Sequence, residues 1–121
     1  MATTSATTRV DELMEDMTLR QKATQLLMPD FRHWAQENQS QVDFDVMNDE
    51  VKQILIEYDF GGVILFAQNV KETEQTARLT DALQKAALDD NEGNGHSIPL
   101  LITIDQEGGI VTRLGTGTAL P

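Results

Sequence analysis

Leu100-Leu-Ile-Thr-Ile-Asp-Gln-Glu-Gly-Gly-Ile-Val-Thr-Arg-Leu114 opens as an apolar run and breaks at a carboxylate. Leu100 to Ile104 has the composition of a buried strand, Asp105 ends it, and Gln106, Glu107 and the pair Gly108-Gly109 follow. The pattern predicts a strand that carries an aspartate to its C-terminal end and then turns sharply. In α/β proteins that end of the sheet is where ligands bind. A carboxylate there can accept two hydrogen bonds from neighbouring hydroxyls, which suits a vicinal or 4,6-type diol of a sugar. It can equally accept backbone N–H groups of its own turn. Position alone leaves both readings of Asp105 open.

The rest of the chain alternates around this stretch. Thr18-Leu-Arg-Gln21 is a capping-box pattern, followed by Leu19, Ala23, Leu26 and Leu27 at helical spacing, so a short helix starts here. Pro29 stops that helix, so Leu26-Leu-Met28 is open to a strand assignment. Asp30 to Phe44 reads as a polar, irregular excursion containing His33 and Trp34. Asn48 is placed to cap a second helix, with Asp49 and Glu50 favourable to its dipole and Val51, Ile54, Leu55 and Tyr58 as its apolar stripe. Gly61-Gly62 breaks the pattern. Val63-Ile-Leu-Phe66 carries no alternation, as in a parallel strand buried on both faces. Asn69 and Glu72 form a cap-like pair before a helix running to about Leu88, with Leu79, Ala82, Leu83 and Ala86 facing the core. Asp89 to Gly95 is a loop, and residues 108–121 are loop-like or hairpin-like. Helix, strand, helix, strand, helix, strand is the signature of parallel β/α units. The fold class is therefore α/β. Residues 1–8 read as a disordered tail, and the folded domain is assigned to 11–121, leaving 1–10 outside it.

Composition limits the partners. The chain has 121 residues and a net charge of −11, with no basic cluster to neutralise phosphates. This argues against a nucleic acid or an anionic membrane as partner. Cysteine is absent, which removes disulfides and zinc–thiolate sites and fits a reducing compartment. The N-terminus lacks the basic start and apolar core of a signal peptide, and no run approaches the roughly 20 apolar residues of a membrane helix. The expected compartment is the cytoplasm, or the exterior if a leader has been removed.

Other candidate chemistry is weaker. Glu107 with Asp105 resembles a glycosidase carboxylate pair, but such pairs need separations of roughly 5–9 Å and correct orientation. A structural Glu107, paired with Arg113 across the turn, is the simpler expectation. Gly108-Gly109 provides positive φ in a tight turn or close approach to a ligand, and no phosphate loop is present. The loop from Asp89 fails the calcium-loop pattern, having Gly93 fifth, Asn94 sixth and Leu100 twelfth. His33 and His96 lack metal-ligand spacing. Asn38-Gln-Ser40 is a glycosylation sequon by pattern only. Trp34 is a candidate sugar-stacking residue, or it pins the excursion to the core.

Three segments together carry a family resemblance: Met17-Thr-Leu-Arg-Gln-Lys-Ala-Thr-Gln-Leu-Leu-Met-Pro29, Gly61-Gly-Val-Ile-Leu-Phe66 and Ile104-Asp-Gln-Glu-Gly-Gly-Ile-Val-Thr-Arg-Leu114. In this order and spacing they resemble the N-terminal part of a glycoside hydrolase family 3 enzyme of the β-N-acetylhexosaminidase type, from about Asp11 to Pro121. The resemblance implies the N-terminal portion of a (β/α)8 barrel, about three parallel strands with flanking helices. It also implies no metal or organic cofactor, and release of terminal β-linked N-acetylglucosamine, including from cell-wall fragments, with retention of configuration. Asp105 takes the family role of binding hydroxyls of the non-reducing sugar. Glu107, Gly108, Gly109 and Arg113 are expected to support it.

The nucleophilic aspartate and the His–Asp acid/base pair of the family match nothing in this sequence, so no catalytic group is expected within it. A complete barrel needs roughly 250 residues, so the remainder of the barrel beyond Pro121 is an expected partner, alongside a β-N-acetylglucosaminide substrate. Residues 1–121 alone are expected to be inactive and poorly stable. A family 3 enzyme for another sugar, such as a β-glucosidase, and a non-catalytic sugar-binding module are the rival readings.

Overall fold

The computed structural model describes residues 6–35, 40–89 and 96–115. Its elements in chain order are α1 (Ala6–Asp16), α2 (Leu19–Thr24), β1 (His33–Ala35), β2 (Gln41–Asp43), α3 (Asp49–Tyr58), β3 (Gly62–Leu65), α4 (Thr73–Ala87) and β4 (Leu101–Ile104). β3 and β4 pair in parallel, Gly62 against Leu101 through Leu65 against Ile104. Their crossover runs through α4, which makes the β3–α4–β4 segment a parallel β/α unit. The chain also approaches the free edge of β3 through one parallel bridge, Asp30 with Ile64.

Local chemistry explains the helix starts. Thr18 Oγ1 accepts the Gln21 N–H at 3.2 Å while Gln21 Oε1 accepts the Thr18 N–H at 2.9 Å, a complete capping box. Asn48 Oδ1 accepts the Val51 N–H at 2.8 Å at the start of α3. The other end of α3 closes with Asp59 in the left-handed region, φ 52°. The core is formed by Phe44, Val51, Leu55, Val63, Leu65, Val70, Leu79, Leu83, Ala86 and Leu100, so α3 and α4 pack against each other and over β3. Gln84 fastens α4 to the entry of β4, donating Nε2–H to the Leu100 carbonyl at 2.7 Å and accepting the Leu100 N–H at 2.9 Å.

Several expectations are corrected. Residues 6–10, assigned to a disordered tail, belong to α1, because Val10, Leu13, Met14 and Met17 recur at helical spacing and Met17 is buried. Leu26-Leu-Met28 forms no strand; only the bridge at Asp30 pairs with β3. The apolar stripe of α2 faces outward: Leu19 is 83% and Leu26 87% exposed, and Thr24 is the buried residue. The polar excursion contains an antiparallel hairpin, His33–Ala35 with Gln41–Asp43. Glu72, not Asn69, is the N-cap of α4, and Asn69 is buried instead. The sequon residues Asn38 and Gln39 and loop residues 90–95 lie outside the described residues. Among the described residues, no helix is long and apolar enough to cross a membrane.

Gly61 sits where backbone meets backbone. A Cβ on it would lie 1.9 Å from the carbonyl oxygen of Gln25 and 2.8 Å from its carbonyl carbon. Neither atom can rotate away as a flexible side chain could. Gly61→Ala is expected to cost about 3 kcal/mol or more of stability. A urea unfolding midpoint unchanged from wild type would contradict this.

Candidate functional site

The parallel register places a set of chemically active side chains at one end of the sheet. Ile104 is level with Leu65, so Asp105 and Phe66 leave their strands together. The bridge of Asp30 to Ile64 sets the Phe31–Arg32 segment beside them. The Arg32 Cζ lies 3.8 Å from the centroid of the Phe66 ring, within cation–π range. Its Nε donates to Asp30 Oδ2 at 2.5 Å.

Beyond Asp105 the chain doubles back in a tight turn. The N–H groups of Glu107 and Gly108 donate to the Val111 carbonyl at 2.8 and 3.1 Å, and Val111 N–H donates to the Gly108 carbonyl at 3.2 Å. Gly108 and Gly109 have φ of 85° and 56°, a conformation that side chains rarely adopt. A Cβ at Gly109 would touch nothing within 4 Å, so positive φ and not crowding explains glycine there. Gln106 ties the returning strand down, its Oε1 accepting the N–H groups of Arg113 at 2.7 Å and Leu114 at 3.1 Å.

This turn delivers Arg113 to Asp105. Nε donates to Oδ1 at 2.9 Å and Nη2 to Oδ2 at 2.6 Å, the two-pronged geometry for which a guanidinium is suited. The expected pairing of Arg113 with Glu107 is thus replaced: Arg113 spends its fork on Asp105, and Glu107 contributes only its nearby charge. The hydrogen bonds from Arg113 hold the Asp105 carboxyl below its usual pKa, reinforced by the charges of Arg113 and Arg32. The pair is sheltered but reachable, with side chains 22% (Arg113) and 25% (Asp105) exposed.

A carboxylate offers about four lone-pair directions. Arg113 occupies one on each oxygen of Asp105, and the remainder can accept hydroxyl protons from a ligand. Arg32 adds donors on the same rim. Arg32 was missed by sequence reasoning; the signal was an arginine two residues after the Pro29-Asp30 break, at the end of a segment bound to β3. Trp34, the candidate for sugar stacking or for pinning the excursion to the core, packs against the core cluster. Its indole N–H donates to Glu50, its ring tilts against Phe31 at 6.2 Å, and it lines a groove between the hairpin and the start of α3. His33 faces Asp43 across the hairpin at 3.4 Å. Among the described residues, no three His, Asp or Glu side chains converge as metal ligands would.

Residues 18–121 match the glycosyl hydrolase family 3 N-terminal domain. The chain belongs to glycosyl hydrolase family 3. It is 39% identical over 103 residues to β-hexosaminidase A of Pseudoalteromonas piscicida, covering 81% of this chain and 17% of that protein. It is 44% identical over 63 residues to a β-hexosaminidase of Bordetella pertussis, covering 50% and 15%. A solved family 3 β-N-acetylglucosaminidase from Paenibacillus sp. str. FPU-7 superposes with a TM-score of 0.63 at 36% identity, covering 86% of this chain and 17% of that one. NagZ from Neisseria gonorrhoeae, solved with N-trifluoroacetyl-D-glucosamine, gives 0.51 at 27% identity, covering 75% and 21%. The chain thus spans about a sixth of the length of the β-hexosaminidase A it matches over 103 residues.

The ion pair has a pH signature. An Asp105 pKa lowered on folding adds stability that is present above the unfolded carboxyl value of about 3.9. That stability is lost as pH falls through the lower, folded value. Asp105→Asn is therefore expected to flatten the acid limb of a stability profile measured from pH 5 to pH 2. A limb parallel to wild type would contradict the pairing.

Proposed function

We propose that this chain is the N-terminal part of a (β/α)8 barrel whose complete form is a retaining β-N-acetylhexosaminidase, acting on terminal β-linked N-acetylglucosamine. The observation that carries the reading is an ionised aspartate just past a parallel strand, locked by Arg113 and left with acceptor capacity towards the open end of the sheet. The names of the relatives, two β-hexosaminidases and a β-N-acetylglucosaminidase, support the sugar. So does a structural neighbour that holds an N-acylated glucosamine.

In this reading Asp105 accepts hydroxyl protons of the terminal sugar and orients its ring. Hydrogen bonds that tighten as the oxocarbenium-like transition state forms lower the barrier. Arg32, on the same rim, is a second donor towards the sugar or its substituents. The nucleophilic carboxylate and the acid/base pair come from later barrel segments, beyond residue 121. Apolar surface at Leu19, Leu26 and Leu101 is then covered by the remaining barrel elements, since an open apolar sheet edge invites association. Glu107, Gly108, Gly109 and Arg113 act as the turn that sets Asp105.

Asp105→Ala removes two hydrogen bonds to a charged acceptor, at roughly 1.5–3 kcal/mol each. In the intact protein it is expected to lower kcat/KM on an aryl β-N-acetylglucosaminide by about 10²-fold or more. Wild-type turnover of an aryl β-glucoside in preference would replace the sugar assignment, and full activity of Asp105→Ala would remove the site. Residues 1–121 expressed alone are expected to be inactive and to self-associate, as read by light scattering. A monodisperse, active fragment would overturn the barrel reading.

A further inference from the structure

Asn69 is among the most buried polar residues of the chain, at 1% exposure. Its amide has three partners in three separate segments. Oδ1 accepts the N–H of Phe66 at 2.8 Å, and Nδ2 donates to the carbonyls of Phe31 and Phe44, each at 2.7 Å. A side chain this well satisfied in an apolar core is expensive to replace and fixes the backbones it joins.

Those backbones are the ones that carry the Arg32–Phe66 stack. The Phe31 carbonyl belongs to the peptide that precedes Arg32, and Asn69 holds it. The Arg32 carbonyl accepts the Phe44 N–H at 2.9 Å, and Phe44 is held by Asn69 in turn. Both peptide planes flanking Arg32 are thereby fixed. On the other side, Asn69 holds the N–H of Phe66, whose ring lies under the guanidinium. Packing of the Phe31 and Phe44 rings at 5.9 Å closes the assembly from behind.

We infer that Asn69 is a positioning residue of the sugar site: one buried amide clamps the backbones of Phe31, Phe44 and Phe66, so that the Arg32 guanidinium lies over the Phe66 ring at the rim shared with Asp105. The inference rests on the glycosidase reading for its kinetic consequence, but not for its geometry. Asn69 touches no substrate in this scheme and works through Arg32. It predicts that an Asn69 substitution and an Arg32 substitution remove the same thing.

The geometric arm uses NMR of the intact wild-type protein, isotope-labelled at arginine. Arg32 side-chain protons should be shifted upfield by the Phe66 ring, and Asn69→Ser should return them towards unperturbed positions while amide signals of α3 and α4 persist. Unshifted Arg32 protons in wild type, or shifts retained in Asn69→Ser, overturn the proposal, and the first result does not depend on any variant folding. The kinetic arm uses the intact protein with an aryl β-N-acetylglucosaminide. Asn69→Ser should lower kcat/KM by up to about 10²-fold through misplacement, with Asn69→Asp, which keeps only the acceptor, no better. In an Arg32→Ala background the same Asn69 substitution should cause little further loss. Full additivity of the two losses overturns the positioning role. If wild type shows no glycosidase activity the functional reading fails, and the NMR arm alone decides the clamp.

Discussion

Backbone meets backbone at Gly61 and Gly62, where neither residue leaves room for a side chain of its own. A Cβ on Gly62 would sit 2.5 Å from the Leu101 carbonyl oxygen and 2.6 Å from the end of Met28, and one on Gly61 would strike the carbonyl of Gln25. The contacts that replace those side chains are hydrogen bonds, Gly61 N–H to the Thr24 carbonyl at 3.2 Å and Leu101 N–H to the Gly61 carbonyl at 2.9 Å. Because parallel strands advance together at about 3.3 Å per residue, fixing this end fixes what arrives at the other. Asp30, Phe66 and Asp105 reach the same rim as a consequence. A slip of one residue between β3 and β4 would exchange the two faces of β4 and remove Asp105 from Arg32.

Where local chemistry and tertiary structure agreed, the sequence was readable. Thr18, Asn48 and the strand ending in Asp105 form what their neighbours dictate, because a cap or a strand end is decided within a few residues. Asn69 shows the opposite case. Before a helix, an asparagine resembles a cap, yet its value here lies in carbonyls of Phe31 and Phe44 that are distant in sequence. Helical spacing shows that Leu19 and Leu26 share a face, but not which way that face points, and Thr24 is buried instead through hydrogen bonds at the Gln21 and Asp59 carbonyls. The hairpin at His33–Asp43 was missed because three-residue strands offer too little alternation to register.

Arg113 was identified as a support and assigned the wrong acid. Both Asp105 and Glu107 were available to it, and spacing could not choose. The choice follows from the turn: with Glu107 and Gly108 donating to Val111, the backbone folds at the glycines and Arg113 returns level with Asp105. Gln106 then holds the Arg113 backbone N–H, so the fork meets the carboxylate with little freedom left to lose. Orientation established before a ligand arrives is worth more than the same contact formed during binding.

The site therefore combines two kinds of order. Asp105 and Arg113 are eight residues apart, and their geometry is written into one turn that needs little of the core. Arg32 comes from a distant segment and depends on the packed core behind Asn69. The nearby guanidinium fixes the rotation of the Asp105 carboxylate and lowers its pKa, while the distant one adds a donor whose position depends on the packed sheet. Loss of core packing would then release Arg32 first and leave the Asp105–Arg113 pair standing. A chain in that state would keep the Asp105–Arg113 pair yet lose the donors of Arg32 from the rim.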